Sequence, residues 1–206
     1  MNTKKIEAPR PISGRHRDPR IDDEVLEVAL GLFLEQGAEG VNFEQISKRT
    51  GISRASIYRR WKTRSDLLNA TLRSARVVQE EDPNAVLKLS PKQFARFLED
   101  TIAKALTSPK VAKLVTQLIG TRASHPELLV RYCRDTLEPG WRAILVAIEN
   151  ARESGKIEPR LDSDLVRDVL AGAIIHRLVS RTEPPKEATE RRWIKRLMWQ
   201  IGLIGR

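Results

Sequence analysis

From Ile21 onward the apolar residues of the chain recur at helical spacing. Ile21, Val25, Leu26, Ala29, Leu30 and Phe33 fall on one face, the pattern of a helix half buried against a core. Asp18-Pro19 supplies its start, with Asp as the cap and Pro in the first helical position. Gly37 supplies its end, because glycine takes the left-handed conformation that closes many helices. Three shorter segments follow. Asn42 is placed to cap a helix over 43–50, with Gln45 positioned to reach back, and Gly51 breaks that helix. Ser53 starts the next, from Arg54 to about Trp61. Thr63 and Asp66 form a capping box for another, which is expected to run from Arg64 to about Gln79. A helix, a tight glycine turn and a second helix are the parts of a helix-turn-helix.

Past an expected linker from Glu80 to Ser90, every periodic segment is helical: Pro91–Thr107, Lys110–Ser124, Pro126–Glu138, Gly140–Ser154, Ser163–Arg181 and Glu187–Leu203. Pro139-Gly140 either separates two helices or kinks one. Gly155, Pro159 and Pro184-Pro185 mark turns, and no strand pattern or internal repeat is present. The pattern therefore predicts an all-α protein: a disordered basic arm over 1–17, a three-helix helix-turn-helix DNA-binding domain over 18–79, and a helical domain over 80–206.

Charge changes this picture from architecture to partner. The 206 residues carry 37 Lys and Arg against 27 Asp and Glu, a formal net charge of +10, which points to a polyanion. Between Ser47 and Arg64 stand Lys48, Arg49, Arg54, Arg59, Arg60, Lys62 and Arg64 with no acid among them. A run of charge is ordinarily a solvated face, but this one coincides with the helix-turn-helix. In the arm, Arg10, Arg15 and Arg17 are expected to reach phosphates or a minor groove.

The stretch from Gly37 to Leu68 resembles the tetracycline-repressor (TetR) family. Ile52-Ser53, Ile57-Tyr58-Arg59-Arg60-Trp61 and Asp66-Leu67-Leu68, at this spacing after Gly51, carry the resemblance together. Ser47 and Thr50 stand where the family usually has Ala, Ala55 replaces a frequent Gly, Trp61 a common Phe, and Arg64 a common Lys. These departures leave base preference open. The physics of groove recognition agrees with the resemblance. A recognition helix presents short polar or basic groups at its N-terminal end, and Ser53, Arg54, Ala55 and Ser56 lie there. Arg54 is the candidate for a bidentate contact to guanine, and Ala55 is sized to pack on a thymine methyl. Asn42, Tyr58, Arg59, Lys62 and Arg64 are the candidate phosphate contacts. Ile46, Ile52 and Ile57 are core, Trp61 reads as core too, and Arg60 faces solvent or a neighbouring acid.

The resemblance continues over Ala151–Ile157, Leu161–Leu165 and Leu170–Val179. It implies a homodimer in which the last two helices pair with those of a second subunit. Val166, Leu170, Ala173, Ile174, Arg177 and Leu178 form one candidate stripe, and Ile194, Leu197, Met198, Ile201 and Leu203 a second; the competing reading is that both are core of a single chain. The resemblance also implies a small-molecule effector in the C-terminal domain. Leu118, Arg122, Cys133, Leu137, Trp141, Ile144, Leu145 and His176 are its candidate lining, with Arg122 or His176 available to select a polar group. The expected output is a repressor released by its effector from a palindromic double-stranded DNA operator, with the helix after Thr63 as the lever between the two sites.

Other classes are disfavoured. No apolar run approaches the roughly 20 residues of a membrane-spanning helix, and the first 20 residues lack the apolar centre of a signal peptide. A cytoplasmic protein without a membrane partner is expected. Cys133 is the only cysteine, and His16, His125 and His176 lie far apart, so neither a disulfide nor a metal site is expected. Asp162, Asp164 and Asp168 complement a helix N-terminus rather than mark a metal site. No phosphate loop or nucleophile motif supports a small helical enzyme; no cofactor is expected. A DNA-binding protein without a sensor would not need the patterned helices of 80–206.

Overall fold

The computed structural model describes residues 19–75, 85–86, 88–153, 155, 162–181, 183 and 185–204. The basic arm, Asp18, and the stretch proposed to extend the lever helix to Gln79 lie outside the described residues. Helix α1 spans Pro19–Gly40 and is broken at Gly37, whose φ of 70° only glycine adopts without strain. The turn is held from outside. Gln117 donates through Nε2 to Leu34 O at 3.3 Å, and a Cβ on Gly37 would come within 3.1 Å of its Oε1. Helices α2 (Phe43–Thr50), α3 (Arg54–Arg60) and α4 (Arg64–Ser74) follow.

The caps are those the sequence predicts. Asn42 Oδ1 accepts from Gln45 N at 2.8 Å, Gly51 closes α2 in the left-handed conformation, and Thr63 and Asp66 complete a capping box. Each satisfies backbone groups that a helix end leaves unpaired. Inside, Val25, Ala29, Phe33, Ile46, Ile57, Trp61, Leu67 and Leu72 are buried together, and Ile52 packs against them half exposed.

The second part contains α5 (Pro91–Thr107), α6 (Pro109–Gly120), α7 (Pro126–Tyr132), α8 (Glu138–Glu153), α9 (Ser163–Val179) and α10 (Glu187–Gln200). Among the described residues there is no strand. Pro139 neither ends nor simply kinks the rod. Cys133–Leu137 forms a π-helical turn joining α7 to α8, in which Glu138 N bonds Cys133 O. The physical reason is local: Pro139 has no N–H for the carbonyl of Asp135 and its ring crowds that carbonyl, and the wider turn relieves both. The N-terminal core does not stop at α4. Leu114 and Leu118 of α6, and Leu128 and Tyr132 of α7, belong to the same buried cluster as Phe33 and Leu72.

The two apolar stripes expected at a subunit interface are mostly consumed within the chain. Val166, Leu170, Leu178, Ile194 and Met198 are buried against α5, α6 and α8, and Ile174, Leu197, Ile201 and Leu203 pack beside them. The face of α9 that remains open lies on its other side: Leu165, Val169, Gly172, His176 and Val179 are exposed at helical spacing. Between α9 and α10, Glu190 is fully buried. Arg177 lies 3.1 Å and Arg181 2.6 Å from its carboxylate, and the Arg177 guanidinium stacks over Trp193 at 4.0 Å.

Candidate nucleic-acid interface and effector cavity

Helix α3 is anchored by one face. Ile57 is wholly buried, while Arg54, Ala55, Tyr58 and Arg59 point outward. Ser53 accepts from Ser56 N at 3.3 Å, and its hydroxyl donates to Ser56 Oγ at 3.2 Å. Ser56 is half buried beneath Arg59, whose Nη2 donates to it at 3.3 Å. Tyr58 is 47% exposed and stacks on Phe43, ring centroids 4.1 Å apart, so α2 fixes the direction of its hydroxyl end. Lys62 is exposed just past the helix. Ser53, Arg54, Ala55, Ser56, Tyr58, Arg59 and Lys62 thus lie on one short stretch, with Asn42 at the cap of the preceding helix. Chemically this is a ledge of hydroxyls, guanidiniums and an ammonium around the methyl of Ala55, with no carboxylate on α3.

Arg60 and Arg64 behave differently from their neighbours. Arg60 turns back to Asp22 of α1 through Nε, and its Nη1 bonds Ser56 O at 3.2 Å. Arg64, expected among the phosphate contacts, turns inward. Its Nε donates to Val41 O at 2.9 Å, and its Nη2 to Ala38 O and to Glu39 at 3.0 Å. A guanidinium has five donors in a fixed fork, and here Nε and Nη2 are taken by the turn that sets the start of α2. Glu39 also meets His125 Nε2 at 2.6 Å. The hydrogen bond from His125, then the charge of Arg64, hold the Glu39 carboxyl below the usual carboxylate range.

A cavity of about 280 Å³ lies in the second part. Phe97, Thr101 and Ile102 of α5, Val115 of α6, Thr136 and Leu137 of the π-turn, Trp141 and Ile144 of α8, and Ile174 of α9 are among its walls. Of the expected lining, Leu137, Trp141 and Ile144 are brought together there. Five are not. Leu118 is buried in the core beneath α1. Arg122 is exposed on the turn after α6, and Cys133 opens the π-turn on its outer side. Leu145 packs toward Ile148 and Leu170, and His176 is exposed on the open face of α9.

The wider π-turn accounts for part of this. It leaves Cys133 exposed while Thr136, absent from the expected set, joins Leu137 in the cavity lining, a register that regular helical spacing does not give. Phe97, Thr101 and Ile102 were missed for another reason. Their spacing along α5 signals only a buried face, and a cavity wall and a filled core give the same pattern.

Tyr132 belongs both to this wall and to the core shared with α1 and α4. Burial pushes its phenol up to about 12. The three aspartates near the start of α9 resolve as helix chemistry: Asp162 caps Leu165 N at 2.9 Å, and Asp164 and Asp168 flank Arg167. Among the described residues no cluster suited to a metal ion occurs, and no helix is long and apolar enough to cross a membrane.

Comparison with known proteins matches both parts. Residues 25–71 match bacterial regulatory proteins of the tetR family, and residues 94–197 match the tetracyclin repressor-like C-terminal domain. The HTH-type transcriptional regulator YdeS of Bacillus subtilis (strain 168) is 25% identical over 166 residues, covering 81% of this chain and 82% of that protein. The HTH-type transcriptional regulator AqdR of Rhodococcus erythropolis is 27% identical over 167 residues, covering 77% and 74%. A TetR-family transcriptional regulator of Mesorhizobium loti MAFF303099 shares the fold with a TM-score of 0.72 at 16% identity, over 91% of this chain and 97% of that one.

Proposed function

Because the chain belongs to the TetR family, we propose that it is a homodimeric repressor that reads a palindromic operator with α3 and leaves it when a small molecule enters the cavity. That it is a helix-turn-helix transcriptional regulator and not an enzyme follows from the family itself. The observation that carries the finer reading is the first turn of α3, where Arg54 and Ala55 are exposed while Ile57 pins the helix to the core. Arg54 reads a guanine edge in the major groove and Ala55 packs on a thymine methyl. Asn42, Tyr58, Arg59 and Lys62 hold phosphates and fix the register. Such a protein works where the DNA is, in the cytoplasm.

A two-fold dimer supplies the second α3, with the paired helices about one helical turn of DNA, roughly 34–36 Å, apart. The open α9 face supports a second copy as its occupant. Its apolar residues stand at helical spacing, and Gly172 leaves room at the centre, since a Cβ there meets no atom within 4 Å. The exposed face of α10 carries Arg192, Lys195 and Arg196, whereas the open stripe of α9 is mainly apolar, which favours α9 as the helix that meets its symmetry mate. Coupling has a short path. Tyr132 touches both the cavity and the core that holds Leu67 and Leu72 of α4, so an occupant that shifts α7 tilts α4 and with it α3.

Selection of duplexes from a random pool by the full-length protein tests the operator reading, and sedimentation equilibrium tests the dimer. The reading requires an enriched palindrome and a dimer mass at micromolar concentration that Val179→Asp reduces to a monomer. An unenriched pool, or a wild-type monomer, overturns it.

A further inference from the structure

The walls of the cavity say what chemistry can occupy it. Among the described residues no Asp, Glu, Lys, Arg or His lines it, and Arg122 and His176, the charged or titratable groups expected to select a ligand, lie on the outside. An ionised ligand would surrender its hydration there with no counter-charge in return, which is costly in an apolar site. The described lining residues with polar side chains are few: Thr101, Tyr132, Thr136 and Trp141.

Thr136 stands out among them. Helical threonines ordinarily return their hydroxyl to the carbonyl four residues back. Thr50, Thr71, Thr107 and Thr116 all do so here, at 2.8–2.9 Å. Thr136 Oγ1 is buried and has no hydrogen-bond partner. It sits on the π-turn, and it makes no such bond to the carbonyl four residues back. Native structures seldom leave a buried hydroxyl unpaired without a use for it. Thr136 is one of the lining residues of a mainly apolar cavity, and a rotation about its χ1 would bring this hydroxyl, closed off as it stands, to the wall.

We infer that the cavity takes an uncharged, mainly apolar molecule bearing a single hydrogen-bonding group, and that Thr136 is the side chain that recognises that group. The size of the cavity, at the small end of the roughly 300–1,000 Å³ usual for ligand sites, confines the occupant to a compact molecule. The inference rests on reading this cavity as the effector site.

Three probes of nearly equal shape separate the terms: naphthalene, 1-naphthol and 1-naphthoate, titrated calorimetrically into the full-length protein at pH 7. The expected result is that 1-naphthol binds and 1-naphthoate binds at least about tenfold more weakly. Thr136→Val, which keeps the shape and removes the hydroxyl, should weaken 1-naphthol by roughly 2–10-fold and leave naphthalene unchanged. Ala105→Phe, filling the cavity from α5, should abolish binding of all three. Naphthoate binding as tightly as naphthol overturns the inference. So does an equal loss of naphthol and naphthalene in Thr136→Val, naphthol binding that survives Ala105→Phe, or no naphthol binding up to millimolar concentration. Operator binding is then measured with the cavity occupied. If 1-naphthol shows the expected pattern but operator affinity does not change, the chemistry of the cavity stands and the effector reading falls.

Discussion

Replacing Arg64 by alanine separates two roles that the sequence alone does not distinguish. As a phosphate contact, Arg64 would matter only when DNA is bound. As the structure has it, the guanidinium ties the turn between α1 and α2 through Ala38 O and Val41 O, and the cap of α2 follows directly at Asn42. A hydrogen bond from a charged donor contributes about 1.5–3 kcal/mol net. The side chain is 33% exposed, so the lower part of that range applies to each of the two carbonyl bonds. The pair with Glu39 is open to water and is left out of the sum. Arg64→Ala should therefore cost about 2–4 kcal/mol of stability, a fall in Tm of roughly 5–15 °C for a chain of this length. Thermal and urea unfolding without DNA measure it. In the same variant the slope of log affinity against log salt should stay at the wild-type value, because no released counterion is lost. An unchanged Tm together with a slope reduced by about 0.9, the amount expected for one phosphate contact, would refute the structural role.

Other consequences are open to measurement. Glu190→Ala leaves Arg177 buried without its partner, a loss of about 3–5 kcal/mol readable as a shift in the urea midpoint; a change below about 1 kcal/mol would mean that the Arg177–Glu190–Arg181 group is not holding α9 to α10. The phenol of Tyr132 stays protonated in the folded state up to about 12, whereas in the unfolded chain it ionises near 10. Between those values the unfolded state binds fewer protons, so stability falls as pH rises. Wild type should lose roughly 2–3 kcal/mol more than Tyr132→Phe between about pH 10 and 12, and equal losses in the two proteins would contradict the burial argument. Lys62→Ala should weaken cognate and scrambled duplexes alike and flatten the salt dependence; a loss confined to cognate DNA would make Lys62 a base reader.

The local grammar of the fold was open to a reader of the sequence because it depends on neighbours only a few residues apart. Asn42, Ser53 and Thr63 cap the helices they precede, Gly37 and Gly51 take positive φ, and Pro91–Thr107 has the limits its periodicity predicts. What escaped depends on groups distant in the chain. An arginine at position 64 reaches either DNA or the turn at Ala38, and only the packing of α4 against α1 decides. The stripes of α9 and α10 are apolar on more than one side, so periodicity finds buried positions without saying which side a partner covers. Glu190 stands in the first turn of α10, and nothing local marks it for burial, which depends on Arg177 and Arg181 of another segment. The π-turn is foreshadowed only by Pro139, and Thr136 rather than Cys133 joins the cavity lining.

The central claim is that the first turn of α3 reads bases rather than merely holding charge. It is tested most directly by comparing wild type and Arg54→Ala on the duplex enriched from a random pool and on a scrambled duplex of the same composition, at one fixed salt concentration. The account predicts a loss of about 1–3 kcal/mol on the enriched duplex, a much smaller loss on the scrambled one, and relaxed preference at one guanine in each half-site. Equal losses on both duplexes would contradict it and reduce Arg54 to a phosphate contact.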